Sequence, residues 1–333
     1  MKYLFSFLLL VSFFSRGQQK QIRIVFIADL HFGLERHFRD KDSVSSFEVN
    51  RAMAASIRSL GKIDAIIVGG DIANRQQNSI QSASTSWKQF EEVYKPLHIQ
   101  MILMPGNHDI SNAIGYYKPM QPLVDRTSLA GIYYNIHHSI LDTAHFHYKE
   151  EDYDFSKNIG GIHFLFLNLW PDSTNIAWME KDLQKTGKMP VLIFAHDPPE
   201  GDYKQFTLPV EKPQDVNQEK FESILPEIYN DHYEKDWDNF LKSHPTIKGY
   251  FHGHSNYQEF YTYKGVNGDL ALPCFRTDSP MKGKFSSKDE SLLSFMVITI
   301  FPEKKIIEVK PYLWNKGKRP LPENSFKLQL SMD

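Results

Sequence analysis

From Gln21 onward, short apolar runs of strand length alternate with amphipathic stretches of helix length, the rhythm of consecutive βαβ units. Ile22 to Ala28 reads as a buried strand, and Ser46 to Leu60 as a helix with Phe47, Ala54, Ile57 and Leu60 at helical spacing. Ala65 to Val68 is a second strand ended by Gly69-Gly70. Ser86 to Tyr94 is helical, and Ile99 to Met104 is a strand. Ile162 to Leu169, Val191 to Ala195 and Ile247 to Phe251 are further strands. Helices are expected over Ile176 to Gln184, Asn217 to Tyr229 and Tyr233 to Lys242. Leu292 to Phe301 and Ile306 to Leu313, joined by Pro302-Glu303-Lys304-Lys305, form a closing β-hairpin.

Before this alternation stands an address. Met1-Lys2 precedes an apolar run from Tyr3 to Phe14, and Ser15-Arg16-Gly17 sets small residues for a cut before Gln18. That is the layout of a secretory signal peptide over residues 1–17. The run is short for a bilayer span, so no stable membrane anchor is expected, and the mature protein is expected to be secreted or periplasmic. Residues 18–333 carry no internal repeat and no linker rich in Gly, Ser or Pro, which predicts one domain. Composition excludes several partners. Lys plus Arg number 38 against 40 Asp plus Glu, so no basic surface for nucleic acid is expected. The single cysteine, Cys274, excludes an internal disulfide and a Cys-rich zinc or iron–sulfur site.

The chemistry gathers where strands end. The first strand runs into Asp29-Leu30-His31 and the second into Gly70-Asp71. The third runs into Gly106-Asn107-His108-Asp109, and Val191 to Ala195 into His196. Ile247 to Phe251 runs into His252-Gly253-His254-Ser255-Asn256. The carboxyl ends of parallel strands share one edge of an α/β sheet, so these residues should converge. Carboxylate, imidazole and amide oxygen together suit Mn, Fe or Zn. So many donors suit two ions, with Asp71 as the natural bridge.

These five blocks, in this order, resemble the calcineurin-like metallophosphoesterase superfamily, whose pattern runs D-x-H, G-D, G-N-H-[D/E], H and G-H-x-H. The resemblance spans roughly Ile24 to Asn256. It implies a four-layer α/β/β/α sandwich of two mixed sheets with the metal site at one edge. It also implies that Asp29 and His31 hold the first metal, that Asp71 bridges, and that Asn107 and His196 hold the second. His108 would face the substrate and donate a proton or stabilise charge at the leaving oxygen. A hydroxide bridging the ions would attack phosphorus in line.

The chain departs from the pattern in three respects. Aligning Gly253-His254-Ser255-Asn256 on the last block puts His254 on the second metal and Asn256, a weaker oxygen donor, on the first. Aligning His252 and His254 on its two histidines makes His252 the ligand instead. Asn74 stands where many relatives carry an aspartate that orients the catalytic histidine, with Asp109 as a substitute. Asn74 is also not the tyrosine of purple acid phosphatases. Asp197 and Arg276 take no assigned role.

Two functions follow. The leading one is an extracytoplasmic, metal-dependent hydrolase of small phosphate esters, with monoester or diester left open. The other is a catalytically weak or inactive metal-binding protein on the same fold. The segment His137 to Asp152, with His137, His138, His145 and His147, reads as a surface insertion or as a histidine-rich metal site.

Overall fold

The computed structural model describes residues 21–37, 43–74, 83–114, 125–146, 151–169, 171, 173–200, 231–315, 319–320 and 325–330. The expected signal peptide and the helix expected over 217–229 lie outside these residues.

In chain order the main elements are β1 (Ile22–Ile27), α1 (Ser46–Ser59), β2 (Ala65–Gly69), α2 (Ala83–Tyr94), β3 (Gln100–Met104), α3 (Asn107–Ile114) and α4 (Thr127–His137). The chain continues through β4 (Phe155–Ile159), β5 (Ile162–Phe166), α5 (Ser173–Leu183), β6 (Val191–Phe194), α6 (Asp231–Ser243) and β7 (Ile247–His252). It ends with β8 (Glu259–Tyr263), β9 (Leu272–Arg276), β10 (Ser294–Phe301), β11 (Ile306–Leu313) and β12 (Phe326–Gln329). Ser45 opens α1 with a full capping box: its hydroxyl accepts the Glu48 N–H while the Glu48 carboxylate reaches back to the Ser45 N–H.

Two mixed sheets result. In the first, β2 lies parallel between β1 and β3, and the β10–β11 hairpin adds to the free side of β1 antiparallel. In the second the order is β8-β9-β7-β6-β5-β4, with β5, β6, β7 and β9 parallel to one another. Alternate strand residues then divide between two cores. Ile24, Phe26 and Ile67 of the first sheet meet Phe164, Phe194 and Phe251 of the second in one buried cluster. The Phe194 and Phe251 rings stack there at 4.6 Å, and Phe26 stands edge-on to both. The intervening residues, Val25, Ile27, Ile66 and Val68 with Leu165, Ile193 and Tyr250, turn to the helices. They pack with Met53, Ile57 and Phe90 of α1 and α2, and with Met179 and Trp237 of α5 and α6. Helix, sheet, sheet and helix are the four layers expected.

The strand after Gly161 is shorter than expected. Its ladder stops at Phe166, and Leu169 takes φ 47°, turning its carbonyl toward the backbone N–H groups of His196 and Asp197 at 3.2 and 3.4 Å. Two helices escaped the periodicity. α3 is only two turns long, and α4 is marked by no side-chain N-cap. In the 137–152 segment, His137 pairs with the Asp152 carbonyl and His145 with Asp142. Among the described residues neither joins a three-residue donor cluster; His147 lies outside them.

Candidate metal centre

Parallel strands from both sheets end at one edge and deliver the five blocks to it. Asp29 follows β1, Asp71 follows β2, Asn107 opens α3 after β3, His196 follows β6 and His254 follows β7. The loops are interlocked by backbone bonds, Asp29 N–H to the Gly70 carbonyl and His31 N–H to that of Asp71. Asp29, His31, Asp71, His254 and Asn256 all sit at positive φ, between 43° and 67°. Each such residue costs about 1 kcal/mol or more, which only a well-packed surrounding sustains. Gly106 allows the closest approach. A Cβ there would stand 2.3 Å from Asp71 Oδ1, and one on Gly253 would stand 2.4 Å from Asp29 Oδ2.

Three overlapping donor groups arise among the described residues: His31, Asp71 and His108; Asp29, Asp71 and His196; and His196, Asp197 and His254. Within each, the ligand atoms lie within 4.8 Å of one another. Asp71 belongs to the first two. His31 Nε2 is 3.6 Å from Asp71 Oδ2 and 3.8 Å from Asp29 Oδ1. His196 Nε2 is 3.4 Å from Asp71 Oδ1 and 3.1 Å from Asn107 Oδ1. His254 Nδ1 is 3.2 Å from Asn107 Oδ1 and 3.3 Å from Asp197 Oδ1.

His196 Nδ1 donates to the Gly69 carbonyl at 2.7 Å, which leaves Nε2 turned into the cluster. Asp71 Oδ1 accepts the His108 backbone N–H at 2.8 Å, and Asp29 Oδ2 accepts that of His254 at 2.9 Å. Asp109 is fully buried beside these loops. Its carboxylate accepts the backbone N–H groups of Ile72, Ala73 and Gly106 at 3.0–3.2 Å and so ties the β2 and β3 loops together.

The donor set fits a metal. Asp29 Oδ1, His31 Nε2 and Asn256 Oδ1 are buried and make no hydrogen bond, a cost of about 1–3 kcal/mol each unless a cation meets them. The electrostatics agree. Burial alone would raise Asp71, but His196 and then His108 hold it well below the usual carboxylate range. Burial works to lower His196, and Asp71 outweighs it, lifting the imidazole to about 10. Burial pushes Asp29 up to about 7 against the pull of His196. Burial, with Lys282 and His108 adding to it, drives His31 well below its ordinary value, and burial with His196 lowers His254 to about 3. His31 and His254 are thus neutral beside the charged Asp71, the state metal ligation asks for, whereas His196 would give up its proton to a bound ion.

His252 is brought elsewhere. Its Nε2 meets the Tyr261 hydroxyl at 3.0 Å, and Tyr261 donates to Glu200 at 3.0 Å. Asn256 bonds the His254 carbonyl through Nδ2. Sequence reasoning missed two residues of this edge. Asp197, fully buried beside His254, directly follows His196, and that adjacency was its one signal. Lys282, whose Nζ lies 3.2 Å from His108 Nε2, stands in a polar loop with no signal at all.

This edge, built from the ends of strands in two facing sheets, defines a metallophosphoesterase. The calcineurin-like phosphoesterase description matches residues 22–267, and the chain belongs to that family of metal-dependent phosphoester hydrolases. Among solved structures it is similar to a dimetal phosphatase from Danio rerio, with TM-score 0.58 and 11% identity, covering 93% of this chain and 99% of that one. It is also similar to a purple acid phosphatase from yellow lupin (Lupinus luteus) seeds, with TM-score 0.52 and 14% identity, covering 93% of this chain and 54% of that one. At these identities the likeness is one of fold. No curated protein sequence matches the chain.

Proposed function

We propose that this chain is an extracytoplasmic hydrolase of small phosphate esters working with two metal ions. The observation that carries the reading is the double membership of Asp71, shared by the group containing His31 and the group containing Asp29 and His196. On this reading Asp29, His31 and Asn256 would hold one ion, Asn107, His196 and His254 would hold the other, and Asp71 would serve both. Such a pair supplies an activated water and neutralises phosphoryl charge. The chain's own residues do the rest. Gly106 and the His108 N–H fix the Asp71 carboxylate, and Gly69 fixes the His196 ring, so little reorganisation is left for the reaction itself. The His108 ring stands over His31 at 4.7 Å, with Nε2 3.8 Å from Asp71 Oδ2, and faces the leaving oxygen as proton donor or charge stabiliser.

The test is hydrolysis of aryl phosphate esters by the mature protein, stripped and reloaded with manganese. Turnover should require the metal and fall more than about 100-fold in Asp71→Asn, beyond what loss of a supporting residue costs. A metal count near zero in the wild type would overturn the reading; bound metal without turnover on any ester would leave a binding protein. The extracytoplasmic placement rests on residues 1–17 and is tested by N-terminal sequencing of protein exported from an expression host. A start at Gln18 is expected, and retention of Met1 in the cytoplasm would refute it.

A further inference from the structure

The loop after β9, from Thr277 to Asp289, is tied down at both ends of the centre. The Ser279 hydroxyl donates to the Asp29 carbonyl at 2.8 Å and accepts the N–H groups of Met281 and Lys282 at 3.1 and 2.9 Å. Asp278 accepts the Ser279 N–H, and Arg36 donates to the Pro280 carbonyl at 3.0 Å. The Lys284 N–H donates to the Asn256 carbonyl at 2.5 Å. Arg36, Asp278, Ser279 and Ser286 are all buried, which is a costly lining for a loop with no part in the site.

What this frame presents is Lys282. Its ammonium lies 3.2 Å from His108 Nε2. That ring nitrogen is 3.8 Å from Asp71 Oδ2, so the ammonium stands one side chain away from the shared carboxylate. A phosphomonoester differs from a diester in having a third terminal oxygen and a second negative charge near neutral pH. A positioned ammonium is the group that recognises both differences.

We propose that Lys282 is a catalytic residue whose ammonium contacts the third terminal oxygen of the phosphoryl group, so that the site takes phosphomonoesters in preference to diesters. This rests on the hydrolase reading above and names its substrate class. The experiment compares the manganese-loaded wild type with Lys282→Met and Lys282→Arg. Three quantities are read: kcat/KM on an aryl phosphomonoester and on the matching diester, metal content, and calorimetric affinity for inorganic phosphate. In Lys282→Met the monoester constant should fall by about 100-fold, as when one transition-state donor is removed, and the diester constant by less than about 5-fold. Phosphate should bind at least about 10-fold more weakly, metal content should hold, and Lys282→Arg should recover part of the monoester loss. Equal losses on both esters, unchanged phosphate affinity or a fall in metal content would each overturn the proposal. A wild type that hydrolyses neither ester yet binds phosphate through Lys282 would sink the hydrolase reading and leave Lys282 as a phosphate site.

Discussion

The His254 backbone N–H donates to Asp29 Oδ2 at 2.9 Å, joining the end of β7 in one sheet to the end of β1 in the other. The two residues are 225 positions apart, and the bond is what aligns the two halves of the centre. Because the N–H holds one oxygen of Asp29, the other is left to face His31.

Choosing between His254 and His252 as ligand has a direct test. His254→Gln should lower manganese content by about one ion, since it removes an imidazole from the cluster. His252→Gln should keep its metal and lose the contacts with the Tyr261 hydroxyl and the Gly253 carbonyl, a cost of about 1–3 kcal/mol in stability. Metal content falling in His252→Gln and holding in His254→Gln would reverse the assignment.

Gly106→Ala should damage the centre without touching a ligand. The new methyl would meet Asp71 N at 2.2 Å and Asp71 Oδ1 at 2.3 Å. We expect a loss of about 1–3 kcal/mol in denaturant unfolding, as for overpacked interiors, together with lowered activity. Full activity in a stably folded variant would mean that Asp71 can move freely.

Asp109→Asn removes one oxygen from a carboxylate that accepts three backbone N–H groups. The amide N–H₂ would face donors, and about 1–3 kcal/mol of stability should go with it. The metal ligands remain, so metal content should decline less than stability. Unchanged unfolding would show that the β2 and β3 loops are held by other means.

Asp278 predicts a pH effect. Burial raises its carboxyl to about 7, against hydrogen bonds from Ser286 and the Ser279 backbone. A carboxyl raised in the folded state contributes stability that is complete below its unfolded value of 3.8 and is lost as pH rises through about 7. Between pH 6 and pH 8 the wild type should lose about 1 kcal/mol that Asp278→Asn does not lose. Thermal melts at the two pH values read the difference as about 1–2 °C. Parallel pH dependence in the two proteins would refute it.

The sequence made this edge legible because most of its candidate donors follow an apolar run within a few positions, where strand and turn chemistry leave a strong local trace. Asp29, Asp71, Asn107, His196 and His254 all have that trace. The alternation of strands and helices was legible for the same reason, while the pairing of strands into two facing sheets came through the resemblance. Lys282 had neither advantage. It lies in a polar loop whose shape depends on Arg36 and Asp29, and a lysine among such residues has no period and no neighbour to mark it. Asp109 was visible as part of a block, but its work on three backbone N–H groups belongs to tertiary structure. The β4, β8 and β9 strands are half-buried or interrupted by proline, and their apolar pattern is correspondingly thin.

The positive φ values at the centre limit which amino acids can ever occupy it. At Asp29, His31, Asp71, His254 and Asn256 a β-branched side chain would collide with its own backbone before any question of metal chemistry arose. Asparagine, aspartate and histidine are the non-glycine residues that tolerate this region best, and they are the residues found there. Exchange among those three leaves the backbone as it is, whereas a β-branched replacement strains it. Asn256, at φ 60° where the resemblance expects histidine, belongs to that permitted set.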